Sequence, residues 1–403
     1  MKYENIEKAI KDLKEGKMIL VMDDEDRENE GDIVCSAENI SVENMNFMAT
    51  YAKGLICLPM SKENATRLQL EQMVLNNTDN HETAFTVSID YKDVTTGISA
   101  YERALTAKMC AQDNVKADDF RKPGHMFPLV AKDGGVLIRN GHTEATVDLM
   151  KLANLKECGL CCEIMDDDGS MKKGKQLDDF AKKFNLTSIT IQELQHYKKV
   201  HDKLVECVSI VDMPTKYGNF KAHTYINILN NEHHIALVKG DISNEKNVLC
   251  RVHSECLTGD VFHSLRCDCG AQLEQSMKII NDNNSGVLLY MRQEGRGIGL
   301  VNKLKAYQLQ EEGLDTLEAN LALGFKADER EYYIGAQILK DLKIKNINLL
   351  TNNLDKVYQL EEFDIHINKR IPIEVKATIY DLEYLKTKKN KMNHILNIKM
   401  EEL

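Results

Sequence analysis

The chain has 403 residues, of which 43% are hydrophobic, enough for two or three domains each with its own core. Its net charge of −11 excludes a general nucleic-acid binder but leaves room for a local cluster of Arg and Lys around a small phosphorylated molecule. No apolar run approaches the ~18 residues of a membrane span, and the odd count of 11 cysteines without a signal-peptide pattern at Met1–Glu4 points to free thiols in a reducing cytoplasm.

Residues 4–15 place Ile6, Ile10 and Leu13 on one helical face, and Met18 to Met22 reads as a short apolar strand. That strand runs into Asp23-Asp24-Glu25-Asp26-Arg27-Glu28-Asn29-Glu30-Gly31-Asp32. So dense an acidic loop is either a solvated turn or, at a strand end with one embedded arginine, a divalent-metal and phosphate site. Ser41 to Tyr51 is expected as a helix capped by Ser41, and Gly54–Leu58 as a strand burying Cys57. A polar loop, Asn76–Thr83, precedes a strand at Ala84–Ile89, and Thr95–Ser99 leads into a helix over Ala100–Cys110 as a phosphate-side or lid element. Two of the five prolines flank His125, either a structural histidine or an imidazole fixed by a stiff Pro-Gly turn. Gly135–Ile138 reads as a strand. Cys158-Gly159-Leu160-Cys161 is formally CxxC, but no second pair follows and Leu160–Met165 alternates like a buried strand, so these are inert core thiols. A charged helix from Ile189 to Lys203 sets the boundary, giving domains 1–199 and 200–403.

The second half opens with strands Leu204–Asp212 and Phe220–Leu229 around the turn Pro214–Gly218, and His233–Leu237 alternates toward a third, with His233-His234 at a strand end rather than on a metal. The stretch that organises this half runs from Arg251 through Cys256 to Cys267-Asp268-Cys269-Gly270. A spacing of C-x10-C-x-C lets three soft thiolates converge. Structural zinc normally takes four ligands, whereas three plus an open position is the pattern of a catalytic zinc, whose water is acidified to a pKa of about 7. Buried thiols are the plain alternative. His263, inside the loop, would close that position if it served as a fourth ligand. An apolar run, Val287–Met291, then Glu294–Gly299, then an amphipathic run from Leu300 to Glu312 form a strand, glycine-rich turn and helix, which aims N–H groups at phosphate oxygens. A helix over Tyr332–Leu342 and a strand over Ile347–Leu350 lead to Thr351-Asn352-Asn353, capping a helix with Lys356 one turn in. The Lys/Asn-rich tail either frays or closes over the site. The fold class is α+β, two α/β-type domains that each pack helices on a mixed sheet.

RVHSECLTGD, SLRCDCG, RQEGRGIGL, DTLEAN, LGFKADER and LLTNN, in that order, resemble the motif set of GTP cyclohydrolase II. DDEDRENEGD, RKPGHMFPL and RNGHTEAT resemble 3,4-dihydroxy-2-butanone 4-phosphate synthase, so the whole chain resembles the bacterial bifunctional riboflavin-biosynthesis fusions. For the first domain the resemblance implies conversion of ribulose 5-phosphate to 3,4-dihydroxy-2-butanone 4-phosphate and formate. Mg²⁺ or Mn²⁺ would sit on Glu28 and His142, with protons handled by His125 and Glu163. Arg27, Asp32, Asn140 and Gly141 fall at substrate positions, and Arg139 and Thr143 at its phosphate end. For the second domain it implies opening of the guanine ring of GTP, giving 2,5-diamino-6-(5-phosphoribosylamino)pyrimidin-4-one, formate and pyrophosphate. One zinc per chain on Cys256, Cys267 and Cys269 is implied, with Mg²⁺ for the pyrophosphate. Asp328 matches the proton acceptor. Arg330 matches either a nucleophile or an electrostatic stabiliser, the latter being the natural role of a group protonated to about pH 12. Arg251, Val252, His253, Ser254, Glu255 and Gln272 fall at GTP-contacting positions. Glu294, Gly295, Arg296, Thr316, Thr351 and Lys356 do the same, and Tyr307 would orient the attacking water. The chain departs from the family at Glu82, often Gly, at His263, commonly small, and at Leu354-Asp355, where Pro-Lys is frequent and its loss implies a weaker phosphate grip. The partners implied are the two small-molecule substrates and a second copy in a homodimer, with no nucleic acid and no membrane. Two alternatives stand beside this reading. One half is active while the other is a nucleotide-sensing module; or the chain is a zinc deaminase, for which His253-Ser254-Glu255 supplies H-x-E but no P-C-x-x-C follows.

Overall fold

The computed structural model describes residues 3–24 and 27–398 and separates into two compact units, Met1–His201 and Asp202–Leu403. Glu25 and Asp26 of the acidic loop, and residues 399–403 of the tail, lie outside the described residues.

In the first unit seven strands form one mixed sheet: β1 (Ile19–Met22), β2 (Gly31–Ser36), β3 (Cys57–Met60), β4 (Ile89–Tyr91), β5 (Phe120–Val130), β6 (Gly159–Glu163) and β7 (Thr187–Thr190), in the order β4-β5-β3-β6-β2-β1-β7. Successive side chains point to opposite faces, and here both faces are covered. Ile19, Val21 and Val34 join one apolar cluster with Leu13, Leu149 and Leu194, while Leu20, Ile33 and Leu160 join another with Met45, Ala107 and Phe180. This double burial makes β1 and β3 read as unbroken apolar runs. Ser41 accepts from the Asn44 amide and starts the helix expected there, which widens into a π-helical turn at Met48–Ala52.

Three local expectations give way. The Pro123-Gly124 pair is not a turn but lies within β5, whose register with β4 slips between Ile89 and Asp90. Gly124 permits this, since a Cβ there would lie 2.1 Å from the Ile89 carbonyl carbon. Gly135–Ile138 is not a strand but a tight helical turn, because Gly134 and Gly135 take φ of 89° and 63° and Asp148 accepts from the Val136 amide. Of Ala84–Ile89 only the end pairs regularly, with Phe85 and Thr86 in isolated bridges. Cys158 and Cys161 are buried core thiols, and burial pushes Cys158 up to about 12.

In the second unit β8 (Val205–Thr215), β9 (Gly218–Asn227), β10 (His233–Lys239), β11 (Val248–Ser254), β12 (Gly286–Met291), β13 (Asn346–Leu350) and β14 (His366–Ile371) lie in the order β14-β13-β11-β12-β10-β9-β8. β8, β9, β10 and β12 are antiparallel neighbours, while β12, β11, β13 and β14 run parallel. The helix Cys269–Asp282 packs Met277 and Ile280 against Leu249, Leu288 and Leu350 on one face. The helix Tyr333–Asp341 meets the other face, where Gly335 approaches Leu289 and Met291. Parallel strands leave their carboxyl ends side by side, the usual place for a ligand. The loops after β11, β12 and β13 carry the cysteine, glycine-rich and Thr351–Asn353 motifs respectively. Among the described residues no helix is long and apolar enough to cross a membrane.

Candidate active sites

The first unit gathers one carboxylate oxygen of Asp23, one of Glu28 and a nitrogen of His142 within 4.8 Å of one another. Asp23 directly follows β1, Glu28 sits in the loop before β2, and His142 opens the helix His142–Leu152. The His142 Nε2 lies 3.2 Å from the Val21 carbonyl, an acceptor only, so that nitrogen carries the proton. Its Nδ1 lone pair then faces Glu28 at 3.9 Å and Asp32 at 3.7 Å. Burial holds His142 below its ordinary pKa, which keeps the imidazole neutral and able to ligate. Arg27 donates from Nη1 to Asp23 and to Glu28, both at 2.7 Å, fixing the two carboxylates together. Two carboxylates and one imidazole suit a hard to borderline divalent ion.

Asp32 and Glu163 are direct partners across the β2–β6 ladder. Asp32 is 2% exposed with Oδ1 unpartnered, and burial drives its pKa well up. Burial first, and then the Asp32 charge, push Glu163 up to about 7, while the Leu55 amide donates to it at 2.9 Å. His125 is fixed differently: Asp90 accepts from its backbone N–H at 2.9 Å and holds Nδ1 at 2.7 Å. No hydrogen bond or ion pair among the described residues joins His125 to the Glu28 cluster. Arg139 is engaged with Glu144, Thr83 and the His81 carbonyl. Thr143, in the first turn of its helix, is buried, and no side chain caps that helix at Gly141. The Thr95–Ser99 segment turns its donors inward on Glu102, whose carboxylate they hold at a pKa of about 2.

In the second unit the sulfurs of Cys256, Cys267 and Cys269 lie within 4.8 Å of one another, and no His, Asp or Glu of the described residues joins them. His263 is exposed and outside the group. Two glycines make the convergence possible. A Cβ on Gly270 would lie 2.2 Å from the Gly259 carbonyl oxygen, and one on Gly259 would lie 3.0 Å from the Cys267 sulfur and 3.1 Å from that of Cys256. Asp260 pins the loop, accepting from the Cys256 amide at 3.0 Å and from Tyr290 at 2.9 Å while lying 3.1 Å from His253 Nε2. Lys303 donates to Cys256 Sγ at 3.1 Å, Thr258 at 2.9 Å and Glu294 at 2.8 Å. The neighbouring thiols and this ammonium pull the Cys256 thiol down, and Cys267 and Cys269 are correspondingly raised. Three soft sulfurs with no fourth protein ligand fit a zinc ion that keeps an open position.

All the residues expected to contact nucleotide, except Val252, border one cleft beside these sulfurs, as do Tyr307 and Arg330. Val252 instead offers its carbonyl to Lys356 at 2.6 Å. Arg251 is buried, donating to the Leu350 carbonyl at 2.9 Å and to Gln272 at 2.7 Å, and its Nε has no partner. Arg296 likewise leaves Nη1 buried and unpartnered. Burial, then the charges of Arg251 and Arg330, drive Lys356 well below its ordinary pKa. Two guanidinium N–H groups left without partners at one cleft suit an anion. Burial would lower Arg330, but Tyr332 and Asp328 outweigh it, and Asp328 accepts from Nε at 2.8 Å and Nη2 at 2.5 Å.

Sequence reasoning missed Asp23, Asp90, Lys303 and Gly259. Asp23 stands in a run where nearly every residue is acidic, and nothing in the order of residues separates ligand from bystander. Asp90, Lys303 and Gly259 act on partners that only the strand register and helix approach bring near.

Residues 7–197 match the family of 3,4-dihydroxy-2-butanone 4-phosphate synthase and residues 206–372 that of GTP cyclohydrolase II. The riboflavin biosynthesis protein RibBA of Bacillus mycoides (strain KBAB4) is 54% identical over 396 residues, 98% of this chain and 100% of that protein. The protein of the same name from Bacillus cereus (strain B4264) is also 54% identical over the same shares. A crystal structure of RibBX, a two domain 3,4-dihydroxy-2-butanone 4-phosphate synthase from A. baumannii, aligns with a TM-score of 0.67 at 33% identity, covering 91% of this chain and 99% of that one.

Proposed function

The chain belongs to the family of bifunctional riboflavin-biosynthesis proteins that join 3,4-dihydroxy-2-butanone 4-phosphate synthase to GTP cyclohydrolase II, and from that premise we propose how its residues divide the two reactions. The first half is a lyase and the second a hydrolase, acting on ribulose 5-phosphate and GTP respectively. One observation carries the division: each unit has its own metal-capable group, hard oxygen and nitrogen donors in one and sulfur donors in the other.

In the first unit Asp23, Glu28 and His142 would hold Mg²⁺ or Mn²⁺, which when bound supplies charge neutralisation to adjacent sugar oxygens. Glu163, poised near neutrality at a pKa of about 7, takes and returns protons, and His125 serves in the orientation Asp90 imposes. The uncapped start of the helix at His142 supports a phosphate end at Thr143, with Arg139 anchoring the neighbouring loop.

In the second unit Cys256, Cys267 and Cys269 would hold zinc, which when bound supplies an acidified water for attack on the guanine ring. Tyr307 orients the nucleophile, Asp328 accepts a proton, and Arg251, Arg296 and Lys356 hold the triphosphate, together with Mg²⁺. The bidentate pair with Asp328 keeps Arg330 protonated, which supports electrostatic stabilisation over nucleophilic attack. RibBX of A. baumannii is described as a two domain 3,4-dihydroxy-2-butanone 4-phosphate synthase. Here the three-sulfur group and the cation-lined cleft support two working halves rather than one half with a sensing module.

The reading includes a reducing cytoplasm, supported by eleven free cysteines. It also includes a homodimer, supported by exposed Val208, Ile210 and Val211 on the edge strand β8. The decisive experiment assays formate from each substrate separately. Glu28→Ala is expected to abolish formate from ribulose 5-phosphate and spare the GTP reaction, while Cys267→Ser loses zinc and GTP-derived formate together. Either variant losing both activities, or neither, would sink the division.

A further inference from the structure

The stretch matching GTP cyclohydrolase II ends at residue 372. Beyond it, the helix Leu382–Lys391 and the residues after it nonetheless place Tyr384, Lys388 and His394 on the border of the nucleotide cleft. Three anchors hold this tail. Lys388, 8% exposed, donates to Asp268 at 2.7 Å, and Asp268 is the residue between Cys267 and Cys269. Lys391 pairs with Asp315 and, at 3.2 Å, with Glu318, at the start of the helix that carries Thr316. The Ile395 amide donates to the Asn352 carbonyl at 2.9 Å, and Asn393 to Asp355 at 3.3 Å.

Each anchor grips a different loop of the cleft. The first also continues inward, since Asp268 accepts from Gln272 at 2.5 Å and Gln272 accepts from Arg251 at 2.7 Å. One line of buried hydrogen bonds thus joins the tail helix, the turn between two cysteines and the arginine on the cleft floor. The Tyr384 ring has Lys388 at 4.3 Å and Arg296 at 5.8 Å from its centroid, tying the glycine-rich turn to the same helix. Asp268 is 3% exposed, and a buried carboxylate without a counter-charge is costly enough to move its surroundings.

We propose that the helix Leu382–Lys391 forms a wall of the nucleotide site, with Lys388 as a positioning residue that sets the Cys267–Cys269 turn through Asp268. The proposal rests on the GTP reading of the cleft. It assigns the tail two effects: retention of the metal, through Asp268, and grip on the nucleotide, through the anchors at Asp315 and Asn352.

The test uses the full chain loaded with zinc, measuring zinc loss to a chelator alongside kcat and KM for formate from GTP. Lys388→Met is expected to release zinc about tenfold faster and to lower kcat about tenfold, as loss of a supporting partner does at other metal sites. Lys388→Arg keeps the charge and restores most of both. Lys391→Glu changes an exposed side chain, so it leaves the core packed, and is expected to raise KM about threefold. Zinc retention and kcat in Lys388→Met within about twofold of the parent would overturn the positioning role. If that variant does not fold, an unchanged KM in Lys391→Glu overturns the wall. A parent protein that releases no formate from GTP refutes the GTP reading instead, and shows it before any variant is compared.

Discussion

At the scale of single residues, Glu163 and Gly259 carry the sharpest consequences. Glu163 is raised from its ordinary 4.5 to about 7, so the folded chain holds that proton more tightly than the unfolded one. The stabilisation is fully present below 4.5 and lost as pH rises through about 7, amounting to roughly 3 kcal/mol. Thermal unfolding of chelator-treated protein across that range is expected to show the loss, and Glu163→Gln to flatten it. A pH-independent parent would mean that solvent reaches the Glu163 carboxyl and burial does not raise it. Gly259 forms a wall of the sulfur group, where an added Cβ would lie 3.0 Å from one sulfur and 3.1 Å from another. Gly259→Ala is therefore expected to cut zinc content without touching the ribulose 5-phosphate reaction, as metal analysis of the purified variant would show.

At the scale of elements, period-2 and period-3.6 patterns were enough to find most strands and helices, because strands such as β1 and β3 bury apolar residues on both faces of the first sheet. They failed where glycine or proline overrode the pattern. Gly134 and Gly135 coil a segment that reads as extended, and Gly124 lets a strand carry a Pro-Gly pair that reads as a turn. The candidate site was legible where ligands are close in sequence, as with Cys267 and Cys269. It was opaque where strand order supplies the partner, as with Asp90 under His125 or Lys303 beside Cys256. β10 offers a test of such hidden packing. His234 is 2% exposed, accepts from the Arg292 amide at 3.1 Å, and is lowered by burial from 6.5 to about 4. A base with a lowered pKa contributes stability above 6.5 that is lost as pH falls through about 4, here roughly 3 kcal/mol. His234→Asn, which retains an acceptor, is expected to remove that acid limb from the unfolding profile of the second unit; an unaltered limb would assign it elsewhere.

At the scale of the whole molecule, each unit has its own sheet, its own core and its own donor chemistry. The cysteines sort in the same way. Those of the first unit are all buried, with thiols raised by desolvation, whereas the Cys256 thiol is pulled down by its neighbouring thiols and by Lys303, with Cys267 at 3.6 Å. Peroxide attacks thiolates, and a sulfenic acid next to a thiol condenses to a disulfide with loss of water. Mild peroxide applied to the zinc-free chain is thus expected to silence formate release from GTP after zinc is returned, leave release from ribulose 5-phosphate intact, and be reversed by dithiothreitol. Equal loss of both would show that burial does not shield the first unit. In chains that have lost their zinc, oxidation would then starve only the purine-derived branch of flavin synthesis, and the sugar-derived precursor would accumulate unpaired until the thiols were reduced.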